Sequence, residues 1–183
     1  MEYYAVQVWT GHEDDYAGRL AAAPGFRLDG VAVPKRALVL RRRGKTFRED
    51  RPIFPGYVFV ASEDGELDPE RRWYMKSTNF FLRILPDSSH PKPIGQRDRA
   101  VLTHFMSFGK RADISKVLFN EQDRIAVLEG PLKGLEGCIV KVDKRKRRAK
   151  VRLDMCENSF LIDLSFETME RPAKGTEAGD AKP

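Results

Sequence analysis

Between residues 141 and 152 eight basic side chains, Lys141, Lys144, Arg145, Lys146, Arg147, Arg148, Lys150 and Arg152, stand against one carboxylate, Asp143. The whole 183-residue chain carries only +6. Ammonium and guanidinium groups at this density suit one chemistry above others, the neutralisation of phosphates along a polyanion. Without such a partner they repel one another. A solvated hairpin tip whose lysines discourage strand aggregation is the bland alternative. A second cluster spans residues 35–51, where Lys35, Arg36, Arg41, Arg42, Arg43, Lys45, Arg48 and Arg51 face Glu49 and Asp50. A solvated hairpin loop and a contact surface are both open readings of it.

No catalytic pattern accompanies the charge. His12, His90 and His104 are scattered, and Cys138 and Cys156 have no metal-ligand spacing, which predicts small buried thiols in a reducing compartment. The glycine-rich GPLKGLEG at residues 130–137 lacks the GxxxxGK[ST] spacing of a phosphate loop, so its glycines read as turns. Neither an enzyme nor a cofactor nor a metal is expected. Without a secretory signal or an apolar run of membrane-spanning length, a cytoplasmic monomer is expected.

The elements that must position these groups follow from periodicity. Residues 3–9 alternate and are rich in aromatic and β-branched types, predicting a first strand. Thr10 and Glu13 have capping-box spacing before a helix reaching residue 23. Strands are expected at 28–33 and 37–42, and PIFPGYVFV at 52–60 reads as a turn followed by a central strand. Asp68-Pro69-Glu70 opens a short helix, residues 80–85 form another strand, and residues 97–108 form a helix closed by Gly109. An α+β layer over residues 1–109, a linker at 110–122 and a small β-barrel at 123–171 follow, with a disordered tail at 172–183. In the barrel, strands at 124–128, 136–142, 149–154 and 159–163 precede a closing turn at 165–169. Cys138, Val140 and Val142 alternate before the basic run, and Ala149, Val151 and Leu153 alternate after it, so the cations cap a strand pair.

Four stretches in this order, YYAVQVWTGHE, FPGYVFV, Trp73 with FLRILPDSSHPKPI, and EGPLKGLEGCIVKVDKRKRRAKVRL, resemble the NusG family of transcription elongation factors. The resemblance covers the chain apart from its tail. It implies an NGN-like antiparallel sheet with packed helices, followed by an SH3-like KOW barrel. It also implies that the first domain docks on the clamp helices of RNA polymerase, with Tyr3, Tyr4, Phe54 and Tyr57 as the matching residues. Tyr3 and Tyr4 differ in parity and cannot share a sheet face; for Tyr57 a core position is the simpler expectation.

In general family members the KOW loop, here Gly130, Pro131, Leu132, Lys133, Gly134 and Leu135, contacts a ribosomal protein or the Rho factor. Leu132 and Leu135 stand where phenylalanines are expected, so the chain is most similar to the LoaP-type antiterminating paralogues, which implies recognition of a leader RNA hairpin. The alternatives are a general NusG-like coupling factor and a structural rRNA-binding KOW protein. Gly130, Pro131, Gly134 and Gly137 penalise a helix, so a stable barrel is expected instead of a fold-switching segment.

Overall fold

The computed structural model describes residues 1–26 and 30–169. β1 (Glu2–Val8) lies between β5 (Tyr57–Ser62) and β6 (Phe81–Ile84), and β2 (Val31–Ala32) extends the far edge of β5. The pairing of β1 with β5 is antiparallel, with Tyr4 opposite Val60 and Val6 opposite Val58. Successive side chains of a strand point to opposite faces, and here both faces are buried. Tyr4, Val6, Val8, Val58 and Val60 pack against Tyr16 and Leu20 of α1 (Glu13–Ala21) and Met75 of α2 (Pro69–Ser77). Ala5, Tyr57 and Phe59 pack on the other side against Phe54 and against Leu102 and Phe105 of α3 (Gln96–Met106). β5 is therefore the two-sided central strand that its apolar run predicts.

The start of α1 departs from expectation. His12 occupies the N-cap without a side-chain cap bond. The carboxylate of the buried Glu13 accepts instead from Gly11 N at 2.9 Å and Gly56 N at 2.6 Å. A carboxylate that can tie the FPG turn to the helix start satisfies two backbone donors at once, which a capping box with Thr10 would not do. Asp68 does cap α2, accepting from Arg71 N at 2.8 Å, with Pro69 in the first turn.

β3 (Lys35–Arg42) and β4 (Lys45–Pro52) form a separate antiparallel hairpin, so the second basic cluster lies on paired strands, not a loop alone. The C-terminal strands β7 (Ser115–Phe119), β8 (Ile125–Glu129), β9 (Ile139–Asp143), β10 (Arg148–Met155) and β11 (Asn158–Thr168) make a curled sheet in the order β8-β7-β11-β10-β9. Together these layers are the expected α+β architecture with a small C-terminal barrel.

Three local expectations change. Residues 115–119 of the expected linker are β7, which pairs in parallel with β11 and antiparallel with β8, joining strands that lie far apart in sequence. The expected turn at 165–169 is instead largely the continuation of β11 through Thr168. The strand expected from residue 136 begins as a 3-10 turn (Glu136–Cys138), and a bulge follows: Lys150 opposes Lys141 while Val151 opposes Ile139. Val140 is the extra residue and is exposed, whereas strict alternation would point it inward. Part of the strand expected at 28–33, and the tail at 172–183, lie outside the described residues. Among the described residues no helix is long and apolar enough to cross a membrane.

Gly130 shows why this barrel needs its glycines. Its φ is +94°, and a Cβ there would stand 2.6 Å from Ser115 Cα on β7. Both strain and overlap oppose any side chain. Gly130→Ala is expected to lower stability by about 1–3 kcal/mol, measured as a shift in the urea midpoint of the full chain at unchanged slope.

Candidate functional site

The basic hairpin is built by β9, the turn that follows it, and β10. Lys146 N donates to Asp143 Oδ1 at 2.8 Å, and Arg147 adopts a φ of +52°, which closes the turn. Ala149, Val151, Leu153 and Met155 are buried, so period two places Arg148, Lys150 and Arg152 on the outer face. Lys141 lies opposite Lys150 and joins that face.

The eight cations are not equivalent. Arg145, Arg147 and Arg152 are exposed and form no ion pair among the described residues. Lys141 is also exposed. Lys144 pairs with Asp123 and lies 4.3 Å from the centroid of the Phe119 ring. Lys146 reaches Asp143 at 3.9 Å and Lys150 reaches Asp163 at 3.8 Å. Arg148 differs most, with its side chain only 17% exposed. Its Nη2 donates to the Val39 carbonyl of β3 at 2.5 Å, and its Nη1 lies 4.0 Å from Asp163. Lys141, Lys146, Arg148 and Lys150 line, with Asp143 and Asp163, a depression of about 120 Å³. Four cations around two carboxylates leave that depression net positive, a suitable seat for a phosphate.

The four aromatic candidates divide. Tyr4 lies in the core beneath α1 and α2, with its hydroxyl donating to the Gly65 carbonyl at 3.0 Å. Tyr3, Phe54 and Tyr57 belong to the opposite face, where Tyr3 is partly buried and the other two are buried. That face is covered by the C-terminal barrel. The Phe160 ring of β11 meets Phe54 and Tyr57 edge-on at centroid distances of 5.4 and 5.5 Å. Asn158 Nδ2 donates to the Tyr57 hydroxyl at 3.1 Å, and Cys156 N donates to Asp98 Oδ2 of α3 at 3.0 Å. Burial raises the affinity of the Tyr57 phenol for its proton, with the neighbouring Cys156 adding to the effect.

The loop from Gly130 to Leu135 faces the same seam. Leu132 is fully buried and Leu135 nearly so, both in the core that includes Phe54 and Leu102. Leu132 N donates to Ser115 Oγ at 2.9 Å, and His104 Nε2 of α3 lies 2.9 Å from the Pro131 carbonyl. In this arrangement the two leucines are packing residues. Asn158, Phe160, Ser165, Asp163, Val39, Asp98 and His104 carry the seam, and none carries a motif. Phe160 and Ser165 sit at ordinary strand positions, so only the fold brings them to it.

A family model described as "Transcription termination factor nusG" matches residues 1–103. Among curated relatives, the transcription termination/antitermination protein NusG of Helicobacter pylori is 21% identical over 177 residues, covering 93% of this chain and 98% of the relative. That of Vibrio cholerae is 24% identical over 180 residues, covering 92% and 94%. A solved structure titled "Domain interaction in Thermotoga maritima NusG" aligns over 90% of this chain and 93% of its own, at 15% identity and a TM-score of 0.49.

Cys156 reports on this seam. Burial, then the negative charge and hydrogen bonding of Asp98, push its thiol up to about 12. The reactive species is the thiolate, so at pH 8 Cys156 is expected to be alkylated by iodoacetamide at least about a hundredfold more slowly in the native chain than in urea. Mass-spectrometric rates at that residue check this.

Proposed function

The chain belongs to the NusG family of transcription termination factors, and we propose that it is an operon-specific elongation and antitermination factor with two contacts. The N-terminal sheet docks on the clamp helices of RNA polymerase, and the basic hairpin of the C-terminal barrel binds RNA, with a hairpin in a leader transcript as its ligand. The observation that carries the RNA contact is the exposure of Arg145 and Arg147 at the tip, continuous with Lys141, Lys150 and Arg152 on one outer face. Guanidinium forks suit paired phosphate oxygens, and an RNA stem is read mostly by shape, phosphates and 2′-hydroxyls. A tip free of the core can enter such a groove without disturbing the barrel beneath it.

The polymerase contact uses the face bearing Tyr3, Phe54 and Tyr57. Aromatic side chains give large contact area at low entropic cost. Tyr4 contributes from the other side of the sheet as core. Because Phe160 covers Phe54 and Tyr57 in this structure, docking requires the barrel to leave the sheet. Leucines at 132 and 135, where the resemblance leads one to expect phenylalanines, support an RNA ligand over a ribosomal protein or Rho at the barrel, since the loop carries no aromatic anchor.

Simultaneous reversal of Arg145 and Arg147 to glutamate is expected to weaken binding of a ten-base-pair RNA hairpin at least about tenfold. The slope of log affinity against log salt should also become shallower than the value of about −4 for five neutralised phosphates. Filter binding across a salt series, beside a polymerase pull-down that stays unchanged, checks both. Wild-type RNA affinity in this variant would remove the hairpin from the site.

A further inference from the structure

The corner where Lys141, Lys146, Arg148 and Lys150 meet Asp143 and Asp163 differs from the exposed tip beside it. It is concave, about 120 Å³ in volume, and its four cations and two carboxylates leave a net charge of +2. These cations are only loosely paired. Lys146 Nζ lies 3.9 Å from Asp143, Lys150 Nζ lies 3.8 Å from Asp163, and Arg148 Nη1 lies 4.0 Å from Asp163. A charge-assisted hydrogen bond has a length of about 2.7–2.9 Å, which Lys35 reaches on Asp14 at 2.8 Å and Arg111 on Asp50 at 2.9 Å. The depression therefore keeps N–H donors that its own carboxylates do not engage at hydrogen-bond distance.

Arg148 is held in place from behind. Its side chain is 17% exposed, and its Nη2 donates to the Val39 carbonyl at 2.5 Å. Asp163 stands opposite Lys150 across the β10–β11 pair and is also felt by Arg36 of β3, so one carboxylate is shared by Arg36, Arg148 and Lys150. The Nε atoms of Arg36 and Arg148 are buried with no hydrogen-bond partner. Burial lowers the affinity of Arg36 for its proton, to a value of about 10; Asp163 opposes this, while Arg51 and Arg148 add to it. Cations fixed before a ligand arrives lose little entropy when it binds.

We infer that this depression is a binding site for a terminal phosphate, the phosphomonoester end of a nucleotide or of an RNA chain, as distinct from the backbone diesters that an exposed tip meets. Charge separates the two ligands. A terminal phosphate carries about −1.5 to −2 at neutral pH and offers three acceptor oxygens, which matches the +2 of the depression and its several donors. A backbone diester brings one charge and two free oxygens, and leaves part of that potential unmet. Arg148 supplies a planar fork, and the lysines supply point charges on flexible stems. All six lining residues are charged, so the site reads the phosphate ester and not the base attached to it. This assignment goes beyond the RNA contact at the tip and stands without it.

The test titrates the full chain with adenosine 5′-monophosphate by calorimetry at about 0.15 M salt, where exposed charges are screened beyond about 8 Å. One-to-one binding with a Kd of about 1 mM or tighter is expected. The 3′,5′-cyclic monophosphate, the same base and sugar in a diester, is expected to bind at least about tenfold more weakly. Lys146→Gln combined with Lys150→Gln should weaken the 5′-monophosphate at least about tenfold. Arg48→Gln combined with Arg51→Gln removes the same charge from exposed positions of the neighbouring hairpin, and should change the affinity less than about twofold. Ten-base-pair RNA hairpins then identify the source of the phosphate. A 5′-phosphate hairpin that binds more tightly than its 5′-hydroxyl form, with the advantage lost in the lysine variant, places a transcript end in the site. Equal affinity of the two hairpins leaves the free nucleotide as the ligand. No saturation by about 10 mM, equal binding of the two nucleotides, or equal loss in the two variants overturns the site. A 5′-hydroxyl hairpin that fails to bind overturns the RNA reading and spares this one.

Discussion

The packing of Phe160 against Phe54 and Tyr57 is the contact on which the arrangement of the two halves depends. β5 lies within a sheet buried on both sides, and α1 and α2 supply the cover for only one face. The other presents Ala5, Phe59, Phe54 and Tyr57, an apolar area that water would solvate poorly. α3 covers part of it, and the barrel covers the rest with Phe160, Leu132 and Leu135. Edge-on aromatic pairs add about 0.5–1.5 kcal/mol each beyond the area they bury. One apolar face thus has two possible occupants, the chain's own barrel and an external partner.

The two ends of the seam differ in physical character. At the Phe160 end the contact is apolar and geometrically complementary, with the Tyr57 hydroxyl and the Asp98 carboxylate satisfied by Asn158 and the Cys156 amide. At the Val39 end cations of β3 and β10 are held close around one shared carboxylate. Such an end adds little to stability and responds strongly to an anion or to salt. A strong apolar contact joined to a weak, charge-sensitive one can be closed in the free chain and still be sensitive to a polyanion.

Much of this was legible in the sequence because it is local. The alternation of Tyr4, Val6 and Val8 and of Ala149, Val151 and Leu153 gave strand faces correctly, and the parity of Tyr3 and Tyr4 already separated the two tyrosines. The GPLKGLEG turns and the tip of the basic hairpin were likewise readable from residue type. What stayed hidden is non-local. Residues 115–119 look like linker because their partners in β11 lie about fifty positions away, and only the completed sheet makes SKVLF a strand. Glu13 matched a capping box, but the Gly56 amide of the FPG turn, which adjoins it only in the fold, took one oxygen of its carboxylate and the Gly11 amide took the other. Arg148 is indistinguishable by composition from Arg147, yet Arg147 lies in the exposed tip turn and Arg148, the first residue of β10, reaches Val39 of β3, a neighbour that only the fold supplies. The bulge at Val140 broke an alternation that the sequence alone displays as regular.

The central claim, that the free chain keeps its aromatic face beneath the barrel, is tested most directly by nuclear Overhauser contacts among selectively labelled aromatic rings of the full-length protein in solution. Cross-peaks from the Phe160 ring protons to those of both Phe54 and Tyr57 are expected in the absence of RNA and polymerase. Their absence, with Phe54 and Tyr57 ring protons broadened by a soluble paramagnetic probe as fully as exposed rings are, would contradict the account.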